Sequence, residues 1–393
     1  MSAILEYTNP GPVVVTGGGG ANARHFADAL GIVREDHPIV VGEMQPPDPN
    51  SPVPYDAFYR LDQDEGKENF RTMMRMGAFA SYLSTPPEYH APGLKEHLGY
   101  VAAGSLGFVV VTKPAVRNVE EMREVGQSIE EIEAATGFEG LAQRLFTHEH
   151  YLFKDEWQVF RESLGKVVDY LGRPTNILVS IQEERTIESE NRGAACADGA
   201  FGDLVPHAIS LGLNAVDGIN QSAAFEVSPS ATYSPLERVR DQDSKLDPGV
   251  ESGFRFRAVS NVKSKMGDAT AAPHELQFTL QGGKGLVDEK KIAFTFVDEA
   301  GVSSLVTVDF IAKKITVPDA VAHLFPQTEG FKDNGYGASV ARGLKGDPAN
   351  NFQSWEDARK VIKIGEYVRR ISSAPPIVYA LLSKGRSIET ILD

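Results

Sequence analysis

Cysteine is nearly absent from this chain: Cys196 is the only one in 393 residues. A lone thiol forms no intramolecular disulfide and no cysteine-ligated metal cluster, so a reducing compartment, the cytoplasm, is expected. Positive charge is in deficit. Lys and Arg number 39 against 54 Asp and Glu, giving a formal net charge of −15. Nucleic acid and anionic membranes both require basic patches, so neither is expected as a partner. A small anionic ligand sees only its own pocket and stays open. No apolar run approaches the ~20 residues that a membrane span needs. The opening MSAILEYTNPGP has no basic segment followed by an apolar run, so no secretory signal is expected. Internal repeats and low-complexity tracts are also missing.

What is present is an ordinary globular composition, 41% hydrophobic and 24% charged. The length implies two or three structural units, because single cores rarely grow past ~250–300 residues. Residues 12–16 (PVVVT) form a short apolar run that stops at Gly17-Gly18-Gly19-Gly20. Residues 21–32 then read as a helix with Phe26, Leu30 and Ile32 on its apolar side. Strand, glycine turn and helix open a dinucleotide-binding unit. Glycines let the backbone approach a pyrophosphate, and the helix start offers N–H groups and a positive dipole end. Gly17, Gly18, Gly20, Ala21 and Asn22 are the expected cradle; the competing reading is a loop that merely turns. The next strand, 38–42 (PIVVG), ends at Glu43, where an acidic side chain suits the ribose hydroxyls of NAD. Arg24 dissents, since it could pair with a 2′-phosphate; NAD is favoured over NADP.

Residues 44–69, rich in Pro and Asp, read as a surface excursion. A third strand, 80–85, runs into Pro86-Pro87, followed by a helix around 93–98. A fourth, 108–112, ends at Lys113-Pro114, before a charged amphipathic helix over 119–136. This alternation argues for a parallel, doubly wound sheet. Ligands bind beyond the carboxyl ends of such strands, and Gly17, Glu43, Thr85-Pro86 and Lys113 all fall there. Residues 144–149 read as a further strand and 151–170 as a helix, with Phe153, Trp157, Phe160, Leu164 and Val168 at helical spacing. From residue 176 the pattern turns to strands: 176–182, 224–227, 253–262, 275–280, 291–298 and 304–315. Alternation within them predicts a large, mainly antiparallel sheet, with helices over 203–213 and 355–372. The expected organisation is α/β: an N-terminal Rossmann dinucleotide-binding domain (1–146) and a C-terminal α+β domain (147–393) for substrate binding and oligomerisation.

Two segments carry polar groups that a core does not need, 147–154 (THEHYLFK) and 199–207 (GAFGDLVPH). His150 and Lys154 are four apart, as are Asp203 and His207, and on a helix each pair shares a face. His207 is the candidate base, because neutral imidazole is matched to proton removal near neutral pH; Asp203 or Glu149 would orient it. A helix histidine bonded to a local carbonyl is the plainer alternative. His150, Tyr151 and Lys154 offer donors to a phosphate, against the plainer reading of a solvated helix start. Lys113 would touch a substrate hydroxyl or the nicotinamide side. Cys196 reads as packing. His148 and His150, two apart, make a weak metal motif, and no metal is expected.

These segments together resemble glucose-6-phosphate dehydrogenases and the glucose–fructose oxidoreductase and inositol dehydrogenase family. Residues 17–24 (GGGGANAR) resemble the cofactor loop, and 82–87 (YLSTPP) resemble the strand ending in two prolines. Thr112-Lys113-Pro114 stands where Glu-Lys-Pro is usual. Residues 149–154 (EHYLFK) resemble Asp-His-Tyr-Leu-Gly-Lys, with Phe153 in place of glycine. Arg192-Gly193 and 199–207 resemble the Arg-Gly-Gly segment and the catalytic-histidine helix, with Gly202 in place of arginine. Gly346-Asp347, Phe352 and Trp355 fit positions near the end. The four-residue Asp203–His207 spacing matches the inositol dehydrogenase branch. The resemblance implies an NAD(P)-dependent dehydrogenase of a cyclic sugar or sugar phosphate. His207 would be its base, oriented by Glu149 or Asp203. His150, Tyr151 and Lys154 would hold phosphate, Lys113 and Asp203 would contact sugar hydroxyls, and Glu183 or Glu184 would supply a further substrate carboxylate. It also implies a homodimer or homotetramer. A redox-neutral epimerase or lyase using bound NAD, and a non-catalytic NAD-binding regulator, are the alternatives.

Overall fold

The computed structural model describes residues 11–17, 27–46, 52–184, 199–233, 237–240, 251–266, 274–284, 288–331 and 337–373. The chain divides into two compact units. The first is Met1–Phe153 with Asn334–Arg359; the second is Lys154–Asp333 with Lys360–Asp393.

The first unit opens with β1 (Val13–Thr16), α1 (Ala27–Arg34), β2 (Ile39–Glu43), β3 (Ala57–Arg60), α2 (Asp64–Met76) and β4 (Ala78–Leu83). It continues with α3 (His90–Ala102), β5 (Leu106–Thr112), α4 (Val119–Thr136) and β6 (Leu145–His148). The strand order β3-β2-β1-β4-β5-β6 is parallel throughout. Val13, Val14 and Val15 are wholly buried, as expected of a central strand covered on both faces. Chain direction across the sheet reverses between β1 and β4, so the switch point falls at their carboxyl ends. The helix α4 has the sequence-expected bounds. The Asn118 side chain accepts the Glu121 N–H at its start, and Gly137, in the left-handed region at φ 70°, ends it. Residues 44–69 are more than a surface excursion, because they contain β3 and the start of α2. Asp56 fixes the entry to β3: it accepts the Ile39 N–H at 2.9 Å and pairs with the Arg34 guanidinium at 2.6 Å. The sequence-level cut at residue 146 falls inside β6, which runs on to His148.

The second unit contains α5 (Asp155–Leu171), β7 (Arg173–Glu183), α6 (Gly199–Asn220), β8 (Phe225–Tyr233), β9 (Glu237–Arg240), β10 (Glu251–Ser264) and β11 (His274–Lys284). Then come β12 (Glu289–Val297), β13 (Ser303–Asp309), β14 (Lys314–Thr316) and the short α7 (Asp319–Ala322). Its sheet runs β14-β13-β12-β7-β11-β10-β8, with β9 on β10; only the β7–β11 pair is parallel. Burial alternates along the strands: Ile177, Val179 and Ile181 on β7 and Ile292, Phe294 and Phe296 on β12 are buried. The α5 helix packs on β12 and β13, and α6 on β7, β10 and β11. Their seam holds Trp157, whose indole N–H donates to Asn214 at 2.9 Å. The single strand expected over 304–315 is two strands, broken by a turn in which Lys313 takes φ 51°.

The chain then returns to the first unit with α8 (Gly337–Leu344) and β15 (Gln353–Ser354), which pairs antiparallel with β6. The α8 helix packs on α1, and Lys345 bonds Asp36 at 2.6 Å. Ser354 caps the closing helix α9 (Trp355–Ser373), accepting the Asp357 N–H at 3.1 Å. Among the described residues no helix is long and apolar enough to cross a membrane.

Candidate functional site

In the first unit, β1, β2 and β4 end side by side. The Gly17 N–H donates to Gly42 O at 2.9 Å, and the Ser84 N–H donates to Thr16 O at 2.8 Å. A crevice of about 830 Å³ opens at these ends. Gly17, Glu43, Thr85 and Pro86 all line it, so four sequence-level candidates come together here. Gly17 has φ +82°, and a Cβ there would stand 2.8 Å from Thr85 N and 2.9 Å from Ser84 C and O. Only glycine lets the β1 turn lie this close to the β4 loop. The Glu43 carboxylate accepts the Met44 N–H at 2.8 Å, which holds it at the strand end.

The hydroxyls of Thr16, Ser84 and Thr85 are buried and have no hydrogen-bond partner among the described residues, and the same holds for Thr147 near the end of β6. Buried polar atoms are normally paired, and orphans gathered at the ligand-facing edge of a parallel sheet suit a polar ligand. Val41, Val53, Phe58 and Phe70 give the crevice an apolar wall. A turn without a side chain, an apolar slot and a carboxylate fit, respectively, the pyrophosphate, base and ribose of a dinucleotide.

His97 and His148 are both buried near this region. His97, which also lines the crevice, bonds the Ser81 hydroxyl at 2.6 Å, and burial lowers its pKa to about 4. In the unfolded chain it would protonate near ~6.5. As pH falls, the unfolded state binds this proton first, so the stability His97 contributes above pH 6.5 is lost between about 6.5 and 4. The loss is up to about 3 kcal/mol. The melting temperature of His97→Gln should fall less steeply over that window than that of the wild type. Parallel slopes would remove His97 from the account. The second histidine, His148, bonds the Tyr82 hydroxyl at 2.6 Å and the Ser339 hydroxyl at 3.3 Å.

Lys113 follows β5, half-buried, outside the crevice lining; its bond to Pro114 is cis. Beyond β6, Glu149 is buried and its carboxylate accepts the Tyr151 N–H at 3.4 Å. His150 lies over the Tyr151 ring, with centroids 4.2 Å apart. The expected helical face shared by His150 and Lys154 does not form. His150–Phe153 is a 3-10 turn, and Lys154 is extended, with φ −68° and ψ 137°, before α5 begins.

In the second unit, Lys154 Nζ stands 5.9 Å from the centre of the Phe310 ring. Asp203 and His207 share a face of α6, half-buried and 3% exposed respectively. Pro206 lies inside this helix beside His207 and removes the N–H that would bond the carbonyl one turn earlier. Of the two candidate glutamates, Glu183 pairs with Lys290 at 3.2 Å, whereas Glu184 lies just past β7, its N–H donating to Asp288 at 2.9 Å. Gly18, Gly20, Ala21, Asn22, Arg24, Arg192, Gly193 and Cys196 lie outside the described residues. Sequence reasoning passed over His90, His97 and the orphan hydroxyls of Ser84 and Thr147. Their signal is weak: single polar residues at the ends of apolar strands, opening a helix, or inside one, as His97 is.

A Rossmann sheet with a glycine cradle, followed by a helix-covered, mainly antiparallel sheet, defines the class. It is the fold of Rossmann-type dehydrogenases with a C-terminal α/β domain. Three solved structures carry the likeness. Levoglucosan dehydrogenase, in complex with NADH and L-sorbose, is 11% identical at a TM-score of 0.60, covering 97% of this chain and 99% of that one. Myo-inositol 2-dehydrogenase from Lactobacillus plantarum is 15% identical at 0.55, covering 96% and 99%. The WlbA dehydrogenase from Bordetella pertussis, with NADH and UDP-GlcNAcA, is 13% identical at 0.56, covering 93% and 97%. These neighbours are dehydrogenases of the glucose–fructose oxidoreductase and inositol dehydrogenase type. They do not carry the resemblance to glucose-6-phosphate dehydrogenase. At such identities the likeness is one of fold. No family model matches the sequence, and no curated protein matches it.

Proposed function

We propose that the protein is an NAD(P)-dependent oxidoreductase acting on a cyclic sugar or sugar phosphate, working in the cytoplasm as a homodimer or homotetramer. His207 would take the hydroxyl proton, and a bound nicotinamide would supply the acceptor for the hydride of the same carbon, which would become a carbonyl. The observation that carries the reading is the crevice at the switch point, with Gly17 against the β4 loop and the orphan hydroxyls of Thr16, Ser84 and Thr85. Neighbours of this fold hold NADH together with L-sorbose or UDP-GlcNAcA, which supports both the cofactor and the substrate class. Nicotinamide supplies the hydride acceptor, and the chain supplies binding, orientation and a base. Asp203 and Glu149 orient the base, Lys113 contacts the reacting hydroxyl, and His150, Tyr151 and Lys154 hold the anionic group, with Glu184 as a further substrate contact.

The test is a panel of hexoses, inositols and hexose phosphates with NAD and NADP, read at the nicotinamide absorbance. Reduction with at least one of them supports the reading; cofactor binding without turnover across the panel counts against it. Cofactor choice is separately testable at Glu43. A carboxylate bonded to a ribose diol contributes about 1.5–3 kcal/mol. Glu43→Gln is therefore expected to weaken NADH binding at least about tenfold and to leave NADPH binding unchanged or improved. Fluorescence titration with each dinucleotide reads this, and an equal loss for both would remove Glu43 from cofactor selection.

A further inference from the structure

His90 opens α3 and is wholly buried. Its two ring nitrogens face two backbone carbonyls from different loops. Nδ1 stands 2.8 Å from Pro114 O, in the loop after β5, and Nε2 stands 2.7 Å from Thr85 O, in the loop after β4. The Thr112 hydroxyl is a more distant neighbour of Nε2, at 3.4 Å. Carbonyl oxygens only accept, so the neutral ring, with its one N–H, donates to one of the two, and only the imidazolium donates to both. Burial outweighs the two carbonyls and the Glu121 and Glu88 carboxylates and holds the ring's pKa below the ordinary histidine value, which favours the neutral ring. The loops joined in this way are those that carry Thr85-Pro86, on the crevice, and Lys113.

We infer that His90 is a positioning residue: seated between the Thr85 and Pro114 carbonyls, with its N–H on Nε2 toward Thr85, it sets the Thr85-Pro86 loop against the cofactor and fixes the spacing between that loop and Lys113. The inference rests on the proposed dinucleotide crevice. It differs from a packing role in one respect. The contact to Thr85, through Nε2, is the one that governs cofactor affinity, and the contact to Pro114 is not. Two amides separate them. A glutamine amide reaches about where Nε2 stands, and an asparagine amide about where Nδ1 stands.

The experiment titrates NADH into the wild type and into His90→Phe, His90→Gln and His90→Asn, with melting temperatures alongside. His90→Phe is expected to raise the NADH Kd about tenfold, one buried hydrogen bond's worth. His90→Gln should recover to within about threefold of wild type, while His90→Asn should not recover. An unchanged Kd in His90→Phe, or a Kd raised alike in all three, overturns the inference. If the variants do not fold, the wild type still decides. Nitrogen-15 histidine spectra should show a solvent-protected His90 ring N–H that shifts on adding NADH; a resonance indifferent to NADH overturns the inference. Wild-type protein that binds neither NADH nor NADPH removes the crevice reading itself and the inference with it. Failure of the inference alone leaves wild-type binding intact.

Discussion

His207→Asn is expected to lose about 10²- to 10⁴-fold in kcat, the usual contribution of a positioned general base, while NADH binds with unchanged Kd. Asparagine keeps a polar group near the Nδ1 position and fits the space of the ring, but takes up no proton near neutral pH. His207 is 3% exposed, and Ala208, Leu211 and Ala215 of the same helix are buried with it. Asp203 stands one turn earlier on the same face, where a carboxylate would stabilise the imidazolium of a histidine acting as base. Pro206 opens the helical hydrogen bonding between them. A histidine that only packs would give another result: asparagine would lower the melting temperature and leave kcat alone. Measuring kcat, NADH Kd and melting temperature on the same samples separates the two. Turnover within a few fold of wild type removes His207 from the chemistry.

The parts of the molecule legible in the sequence share one property: their physical cause is local. The central strands β1, β2 and β5 are continuous apolar runs because both faces are covered, and the antiparallel strands alternate because one face is. The helix α4 was readable to its last residue because Asn118 and Gly137 mark its ends. The Asp203–His207 spacing was readable because the helix runs on through Pro206, from Gly199 to Asn220. His150 and Lys154 show the same spacing without the helix: a 3-10 turn ends at Phe153, and Lys154 is extended. What stayed illegible depends on distant partners. The edge strand β3 has four half-buried residues and no apolar run, so only its pairing with β2 identifies it. The return of 337–354 to the first unit rests on the pairing of β15 with β6, on Ser339 reaching His148, and on Val340, Leu344 and Phe352 entering that unit's core. His90 has no motif within the local sequence, since its two carbonyl neighbours come from the loops after different strands.

Gly17→Val should both destabilise the first unit and abolish dinucleotide binding. Its Cβ would meet backbone atoms, Thr85 N at 2.8 Å and Ser84 C and O at 2.9 Å, not the yielding end of a side chain. The φ of +82° adds strain for any residue with a Cβ, and most for a β-branched one. The ends of β1 and β4 would have to splay, and the crevice lies at those ends. Together these effects are expected to cost about 2–4 kcal/mol and to raise the NADH Kd at least about a hundredfold. Gly31→Ala is the matched control. It lies in α1, with open space where its Cβ would go, so alanine there should stabilise by about 0.5–1 kcal/mol and leave NADH binding unchanged. Urea unfolding and NADH titration of both variants test the contrast. A Gly17→Val protein that binds NADH like the wild type would mean that the β1–β4 junction is not the cofactor cradle.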